Sequence, residues 1–273
     1  MEAYITEDNK KITATCITSM KSEGKKIAML TAYDYSTARI LDASGVDSIL
    51  IGDSASNVIA GNSTTLPITL EEMIFLTRSV VKGVKRAFVV CDMPFGSYQA
   101  CPEDGVRSAV RILKETGCDA VKIEGGAPYK ATIKRIIETG IPVVGHLGLT
   151  PQSVNAFGGY GVRAKDEKEE NQLIEDAKML EEIGCCAIVV EKVPASVGKR
   201  AAEAVKIPII GIGAGPYVDG QVLVVNDMLG MSKDFYPKFL RQYADLQSII
   251  TDAVGNYVRD VKNNIFPSLE ESY

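Results

Sequence analysis

Ionisable side chains recur where short apolar segments of the chain end, and this spacing could gather them into one polar site. The side chains that share this placement are Asp53, Asp92, Glu124, His146 and Glu191. One such residue is commonly an N-cap or a turn residue. Five in succession are harder to explain in that way, because charged groups are seldom buried unless they are paired or bind a metal. The pattern therefore predicts a shared polar site.

Three carboxylates of this set, Asp53, Asp92 and Glu124, indicate a site for a hard divalent cation. The chain has one histidine, so a site rich in nitrogen and sulfur ligands, which zinc favours, is a weaker match. Mg²⁺ prefers oxygen ligands and keeps several waters, so two carboxylates and substrate oxygens suffice to bind it. We therefore expect Mg²⁺, with Zn²⁺ and Mn²⁺ as alternatives.

Two further residues could complete this site. Lys122 stands two positions before Glu124 and so points to the same side of its strand. Beside a metal it would bind an anionic substrate; alternatively, it forms an ion pair with Glu124 and only neutralises the site. His146 is either support for the site or a structural histidine.

The segments that must position these residues are apolar runs of strand length, rich in Val, Ile, Leu and Ala. They are residues 27–33, 48–53, 87–92, 120–124, 142–147, 187–193 and 207–212, with an eighth, less regular one near 221–225. Strands that are buried on both faces have this nearly continuous apolar pattern, which is typical of a parallel sheet covered by helices.

Amphipathic segments alternate with the strands and carry helix-boundary residues. Thr69 and Glu72 have the spacing of a capping box at the start of a helix over 70–83. Other helices are predicted over 102–117, 130–140, 169–184 and 196–205. Seven or eight βα units that close on themselves give a single (β/α)8 TIM barrel of the α/β class. The alternative is an open doubly wound sheet. In both folds the active site lies at the carboxyl ends of the strands.

One domain is expected to cover residues 1–273. Residues 1–25 are predicted to cap the bottom of the barrel, and residues 236–262 to form one or two C-terminal helices. The loop at 148–166 is long and contains glycine, which favours a functional role.

The composition argues against several classes of protein. A formal net charge of -5 provides no basic surface for nucleic acid. Apolar runs are too short to span a bilayer, and residues 1–25 contain no apolar stretch typical of a signal peptide. The six cysteines form no CxxC pair, so we expect free thiols in a cytoplasmic protein.

Several segments of the chain resemble ketopantoate hydroxymethyltransferases, in the same order along the sequence. They are TAYDYSTARILD (31–42), IGDS (51–54), TLPIT (65–69), CDMPFGSY (91–98), VKIEGG (121–126), GHLGLTPQSVNAFGGY (145–160), IPIIGIGAGPYVDGQVLV (207–224) and PKFLRQYADL (237–246). The resemblance implies a barrel of the phosphoenolpyruvate/pyruvate type, Mg²⁺ dependence and a homodecamer. It also implies transfer of a one-carbon unit from 5,10-methylenetetrahydrofolate to 3-methyl-2-oxobutanoate, giving 2-dehydropantoate for pantothenate synthesis.

The resemblance also assigns roles to individual residues. It implies that Asp53 and Asp92 are metal ligands, with Glu124 as a third that acts directly or through water. The ketoacid contacts that it implies are Asp53, Ser54, Asp92 and Lys122, and the implied proton acceptor is Glu191. Such chemistry is physically reasonable, since a metal and Lys122 would stabilise the enolate that forms when the C3 proton leaves.

The chain departs from the family pattern in one loop. Ser56 stands where the family usually has Gly, and Asn62 stands where it usually has His. Asn cannot take up a proton as His can, and Ser restricts the backbone wherever φ is positive. These changes leave open a catalytically silent relative that binds ligand or serves as an assembly subunit. A barrel lyase or mutase that acts on an oxoacid without folate is a second alternative, because it would share the metal site.

Overall fold

A computed structural model describes residues 10–232 and 236–273. The described chain divides into two compact units, of which one ends at Val224 and the other runs from Val225 to Tyr273. The assignment of all 273 residues to one domain stays a prediction.

The first unit contains a closed barrel of parallel strands in sequence order. The strands are β1 Ile27–Thr31, β2 Ser48–Ile51, β3 Phe88–Asp92, β4 Ala120–Glu124, β5 Val143–Gly148, β6 Ala187–Glu191, β7 Ile209–Ile212 and β8 Gly220–Leu223. Pairing of β1 with β8 closes the barrel. The predicted (β/α)8 fold is thereby confirmed, and the open doubly wound sheet is wrong.

Helices follow the strands and cover the outside of the barrel. Those of the first unit are α1 Ala14–Ser22, α2 Tyr35–Ala43, α3 Ala55–Val58, α4 Leu70–Gly83, α5 Pro102–Thr116, α6 Lys130–Glu138, α7 Val154–Phe157, α8 Glu167–Glu182 and α9 Ala195–Ala204. The capping box forms as expected: the Thr69 hydroxyl accepts from the Glu72 N–H, and the Glu72 carboxylate accepts from the Thr69 N–H at 2.7 Å. Helix α2, which Asp34 caps, was not expected from the apolar pattern.

Helix α1 lies across the amino ends of the strands. Its Ile17 is buried in one cluster with Ile27, Met29 and other inward-facing strand residues. The hydroxyl of Thr18 donates to the carbonyl of Cys186, which immediately precedes β6. The predicted capping segment 1–25 contains this helix, while residues 1–9 lie outside the described residues.

The second unit contains α10 Val225–Met228 and α11 Leu246–Lys262. The prediction of helix over 236–262 is wrong for residues 236–245, which contain none, and the side chain of Asp245 caps α11 by accepting from the Ser248 N–H. No residue of α11 is buried. Among the described residues, no helix is both long and apolar enough to cross a membrane.

Candidate active site

The predicted site residues meet at the carboxyl ends of neighbouring strands. Asp92 is the last residue of β3 and pairs in register with Lys122 of β4. Glu124, the last residue of β4, pairs with His146 of β5. Glu191 ends β6 and pairs with Gly148. Because all strands of the barrel run in parallel, these side chains face one end of it.

Asp53 and Asp92 are joined directly, although they follow different strands. The backbone N–H of Asp53 donates to Oδ2 of Asp92 at 3.0 Å. Both side chains are buried. Gly52 precedes Asp53, and a Cβ atom there would lie 2.6 Å from the Ser54 hydroxyl oxygen. A larger residue at this position would therefore displace the Ser54 side chain, which lies beside the cluster.

Lys122 places one positive charge among the three carboxylates. Its Nζ lies 3.0 Å from Oδ1 of Asp92 and 3.0 Å from Nδ1 of His146. Burial would lower the pKa of Lys122, but the charges of Asp92, Glu124 and Asp53 outweigh this effect and raise the pKa above its ordinary value. The side chain is therefore an ammonium group throughout the physiological pH range.

The three carboxyl groups have raised pKa values in the absence of a bound cation. Burial is the main cause for all three. The charges of Glu124 and Asp92 raise the pKa of Asp53 further, whereas Lys122 opposes the shift of each group. Three acidic groups face one ammonium, so a bound cation would favour their ionised forms.

His146 links the carboxylate cluster to Glu191. Its Nδ1 faces the Lys122 ammonium, which can only donate, so Nδ1 accepts and Nε2 carries the ring proton. Nε2 lies 3.3 Å from Oε2 of Glu191, close enough for electrostatic attraction but without a well-aligned hydrogen bond. Burial and the charge of Lys122 lower the pKa of His146, which keeps the ring neutral. The histidine thus contacts three predicted site residues, since Nδ1 is also 3.4 Å from Oε1 of Glu124.

Ser54 lies beside the cluster at the start of α3. Its hydroxyl oxygen is 2.8 Å from the hydroxyl oxygen of Tyr33. The following loop contains Ser56 and Asn62, the residues at which the chain departs from the family. Ser56 lies within α3 and has no positive φ, so the backbone restriction considered for this position does not arise. Its hydroxyl donates to the Thr64 carbonyl at 2.7 Å and accepts from the Asn62 amide at 3.2 Å.

Gln152 was not recognised as an individual site residue from the sequence. Its side-chain amide donates to Oδ2 of Asp53 at 2.9 Å, and its backbone N–H donates to Oε2 of Glu124 at 2.9 Å. The residue belongs to the 148–166 loop, whose length predicted a functional role. Loop length was thus the signal that could have directed attention to it.

The arrangement fits a cation that keeps part of its own hydration. In the part of the chain that the structure describes, no three His, Cys, Asp or Glu side chains form a ready-made metal site. The predicted trio Asp53, Asp92 and Glu124 therefore does not form a closed cage. However, Oδ1 of Asp92 and Oε1 of Glu124 are buried and accept no hydrogen bond, although the former is near Lys122. Mg²⁺ needs only one or two such carboxylates, with water and substrate oxygens.

Comparison with known proteins identifies close relatives of the whole chain. The ketopantoate hydroxymethyltransferase family model matches residues 11–269. The 3-methyl-2-oxobutanoate hydroxymethyltransferase of Bacteroides thetaiotaomicron is 59% identical over 273 residues, covering 100% of both chains. The enzyme of the same name from Chlorobaculum tepidum is 59% identical over 266 residues, covering 96% of both.

Solved structures with much lower identity share the fold. Phosphonopyruvate hydrolase has a TM-score of 0.60 at 11% identity, covering 94% of this chain and 92% of that one. Oxaloacetate acetylhydrolase has a TM-score of 0.61 at 12% identity, covering 97% and 92%. At this identity the likeness shows the barrel alone.

Proposed function

Since the chain belongs to the ketopantoate hydroxymethyltransferase family, we propose that it converts 3-methyl-2-oxobutanoate to 2-dehydropantoate. The one-carbon donor is 5,10-methylenetetrahydrofolate, and the reaction is the first committed step of pantothenate synthesis. The observation that carries the proposal is the buried cluster of Lys122 with Asp53, Asp92 and Glu124 at the catalytic end of the barrel.

The proposed ketoacid site combines Ser54, Asp53, Asp92 and Lys122. Lys122 donates to the carboxylate or keto oxygen of the substrate, and its ammonium stabilises negative charge on that oxygen. The hydroxyl of Ser54 supplies a further donor. An anion would nevertheless be repelled by the surrounding carboxylates, so we expect a divalent cation to bind with it.

Asp53 and Asp92 would hold this cation, Mg²⁺ or alternatively Mn²⁺ or Zn²⁺, with Glu124 acting directly or through water. When bound, the cation would supply positive charge next to the keto oxygen and so favour loss of the C3 proton as an enolate. The fit rests on the buried Oε1 of Glu124, which accepts no hydrogen bond, and on the excess of carboxylates over the single ammonium of Lys122.

Glu191 is the proposed proton acceptor. Its side chain is 17% exposed, in contrast to the 4% of His146, so it is less enclosed than the buried cluster and more accessible to a substrate. The neutral His146 attracts the other oxygen through its Nε2–H and orients the group. A carboxylate at this position can take the C3 proton or move a proton when the new hydroxyl group forms.

The direct test is formation of 2-dehydropantoate from 3-methyl-2-oxobutanoate and 5,10-methylenetetrahydrofolate. We expect product with Mg²⁺ and none after chelation, and Asp92→Asn should remain inactive with excess Mg²⁺. Absence of product from the wild-type protein with Mg²⁺ would contradict the proposal. If calorimetry then showed ketoacid binding without turnover, the catalytically silent relative would be the correct function.

We further propose that the protein acts as a homo-oligomer, a decamer by resemblance to its family. The support within the chain is α11, where Ile249, Val254 and Tyr257 are each more than half exposed. Exposed apolar residues of this kind commonly mark protein interfaces.

A further inference from the structure

Gln152 is a buried polar residue in the turn that follows β5. It lies in the 3₁₀ helix Pro151–Ser153 and is 6% exposed. A buried amide destabilises the fold unless its donors and acceptor are all satisfied. The partners that satisfy this one therefore reveal what the residue does.

The neighbours of Gln152 permit only one orientation of its side chain. Nε2 donates to Oδ2 of Asp53 at 2.9 Å and to the carbonyl oxygen of Met93 at 3.0 Å. A carbonyl can only accept, so the nitrogen must face it. Oε1 accepts from the Tyr98 hydroxyl and from Nε2 of Gln99, both at 2.9 Å. Both hydrogens of the amide nitrogen and both lone pairs of the oxygen are thus used.

The same residue also holds Glu124. Its backbone N–H donates to Oε2 of Glu124 at 2.9 Å, while Oε1 of that carboxylate accepts no hydrogen bond. Gln152, in the turn that follows β5, is therefore hydrogen-bonded to groups at the carboxyl ends of β2, β3 and β4. Each of Asp53 and Glu124 has one oxygen fixed by Gln152.

Tyr98 holds both Gln152 and Glu124 in place through its hydroxyl group. Its ring is almost fully buried, and its hydroxyl accepts from the backbone N–H of Glu124 at 3.2 Å. The hydroxyl proton is directed to the nearer acceptor, Oε1 of Gln152 at 2.9 Å, with the Glu124 carbonyl slightly farther away at 3.1 Å. Loss of this hydroxyl would loosen Gln152 without removing it.

We infer that Gln152 is a positioning residue that fixes the carboxylates of Asp53 and Glu124 for binding of the divalent cation and the ketoacid. The inference rests on the proposed function, because it assigns these carboxylates to that site. Groups that orient metal ligands through hydrogen bonds typically contribute about tenfold to a hundredfold in metal affinity. Gln152 itself need not touch the substrate.

The test variant is Gln152→Met, which keeps the length of the side chain and the backbone N–H but removes the amide. The matched control is Gln172→Met, since Gln172 is exposed and likewise donates to an aspartate, Asp176. Mn²⁺ affinity is measured by electron paramagnetic resonance without substrate, and kcat and the KM for 3-methyl-2-oxobutanoate are measured over a range of Mn²⁺ concentrations. Circular dichroism reports folding.

We expect Gln152→Met to weaken Mn²⁺ binding by about tenfold to a hundredfold, to raise the ketoacid KM, and to regain most of its kcat at saturating Mn²⁺. Gln172→Met should match wild type. The inference is overturned if folded Gln152→Met binds Mn²⁺ as tightly as wild type does, whatever its kcat. It is also overturned if the kcat of the variant stays low at saturating Mn²⁺. If the variant does not fold, Tyr98→Phe decides by the same criteria with a smaller effect.

Failure of the proposed function has a different signature. Wild-type protein would then form no product. If it also failed to bind Mn²⁺, the inference would fall with the proposed function; if it bound Mn²⁺, the Mn²⁺ affinity of Gln152→Met would still decide the inference. Normal wild-type binding and turnover with an unaffected Gln152→Met variant would overturn the inference alone.

Discussion

Asp53 is proposed to bind the cation, yet its burial without one destabilises the fold. Burial, together with the charges of Glu124 and Asp92, raises its pKa. Because folding raises this pKa, the folded protein holds the proton more tightly than the unfolded chain does. The resulting stabilisation is fully present below the ordinary pKa of 3.8. It is lost as the pH rises through the raised pKa of the folded state. At neutral pH and without a cation, the ionised Asp53 therefore weakens the fold.

We predict that Asp53→Asn stabilises the cation-free protein at pH 7 and abolishes activity. The Asn carbonyl can still accept from Gln152, while the repulsive charge is gone. The melting temperature of the cation-free variant should therefore exceed that of the cation-free wild type at pH 7.

Thermal unfolding with chelator across the pH range is the measurement. The gain of Asp53→Asn should shrink as the pH falls toward 3.8, and added Mg²⁺ should stabilise only the wild type. Asp252→Asn, an exposed aspartate in α11, is the control and should show no such trend. A variant less stable than wild type at pH 7 would contradict the prediction.

Glu191→Gln should separate proton transfer from binding. The side chain is more exposed than the buried cluster, so the amide should be accommodated and the KM for the ketoacid should change little. We expect kcat to fall by a factor of about 10²–10⁴, which is the usual contribution of general acid–base catalysis to the rate. Glu203→Gln, on the exposed face of α9, is the control.

Deuterium exchange at C3 of 3-methyl-2-oxobutanoate, followed by NMR without folate, isolates the proton-transfer step. Slow exchange in Glu191→Gln would support its role as the base. Exchange at the wild-type rate would remove Glu191 from that step, whatever the effect on overall turnover.

Charged residues of the site could be predicted from the sequence, but their hydrogen-bonded support could not. Asp92 and Glu124 end apolar strands, so their placement follows from strand pattern and barrel geometry. Gln152 has no charge and belongs to no periodic pattern. Its contact with Asp53 joins positions 99 residues apart in sequence, and only the closed barrel brings them together.

At the element scale, the strength of the apolar signal decided which strands and helices could be predicted. All residues of β3 and β4 are buried, so both were expected at nearly their observed bounds. The eighth strand, β8, was less regular because Gln221 is exposed, and because Gly220 packs against the Ile27 carbonyl, where a Cβ atom would lie at 2.5 Å. Helix α2 has only two buried residues, too few for a clear period.

The loop from α3 to Thr64 is held together by hydrogen bonds of Ser56 and Asn62. Ser56 and Asn62 are bonded to each other and, through the Ser56 hydroxyl, to the Thr64 carbonyl. We expect Ser56→Gly and Asn62→Ala each to lower the free energy of unfolding by about 1 kcal/mol. The double variant should lose less than the sum, because both changes remove the same hydrogen bond.

Urea unfolding of the wild type, both single variants and the double variant measures this coupling. Asn171→Ala, which removes an exposed contact with Arg200, provides a control that should add independently to either change. Strict additivity of Ser56→Gly and Asn62→Ala would show that the pair is not coupled in solution.

For the whole molecule, the oligomeric state is harder to predict from the sequence than the fold is. The closed barrel accounts for the buried strand residues, since each apolar segment packs within the first unit. The apolar residues of α11 have no such explanation, because the helix has no buried residue. Ile250, Val254, Tyr257 and Val261 recur every three or four residues and share one face of the helix.

We predict that this face of α11 is buried between copies of the chain, and that Val254→Asp reduces the assembly size. Val254 is 54% exposed, so an aspartate there should not disturb the isolated chain, whereas burial of its charge at an interface is strongly unfavourable. Asp252→Asn changes the opposite face of the helix and should leave assembly unchanged. Light scattering after size exclusion gives the mass, which a monomer would place at 29.4 kDa. A wild-type protein of that mass at all concentrations would contradict the homo-oligomer, and a Val254→Asp protein with the wild-type mass would remove α11 from its interface.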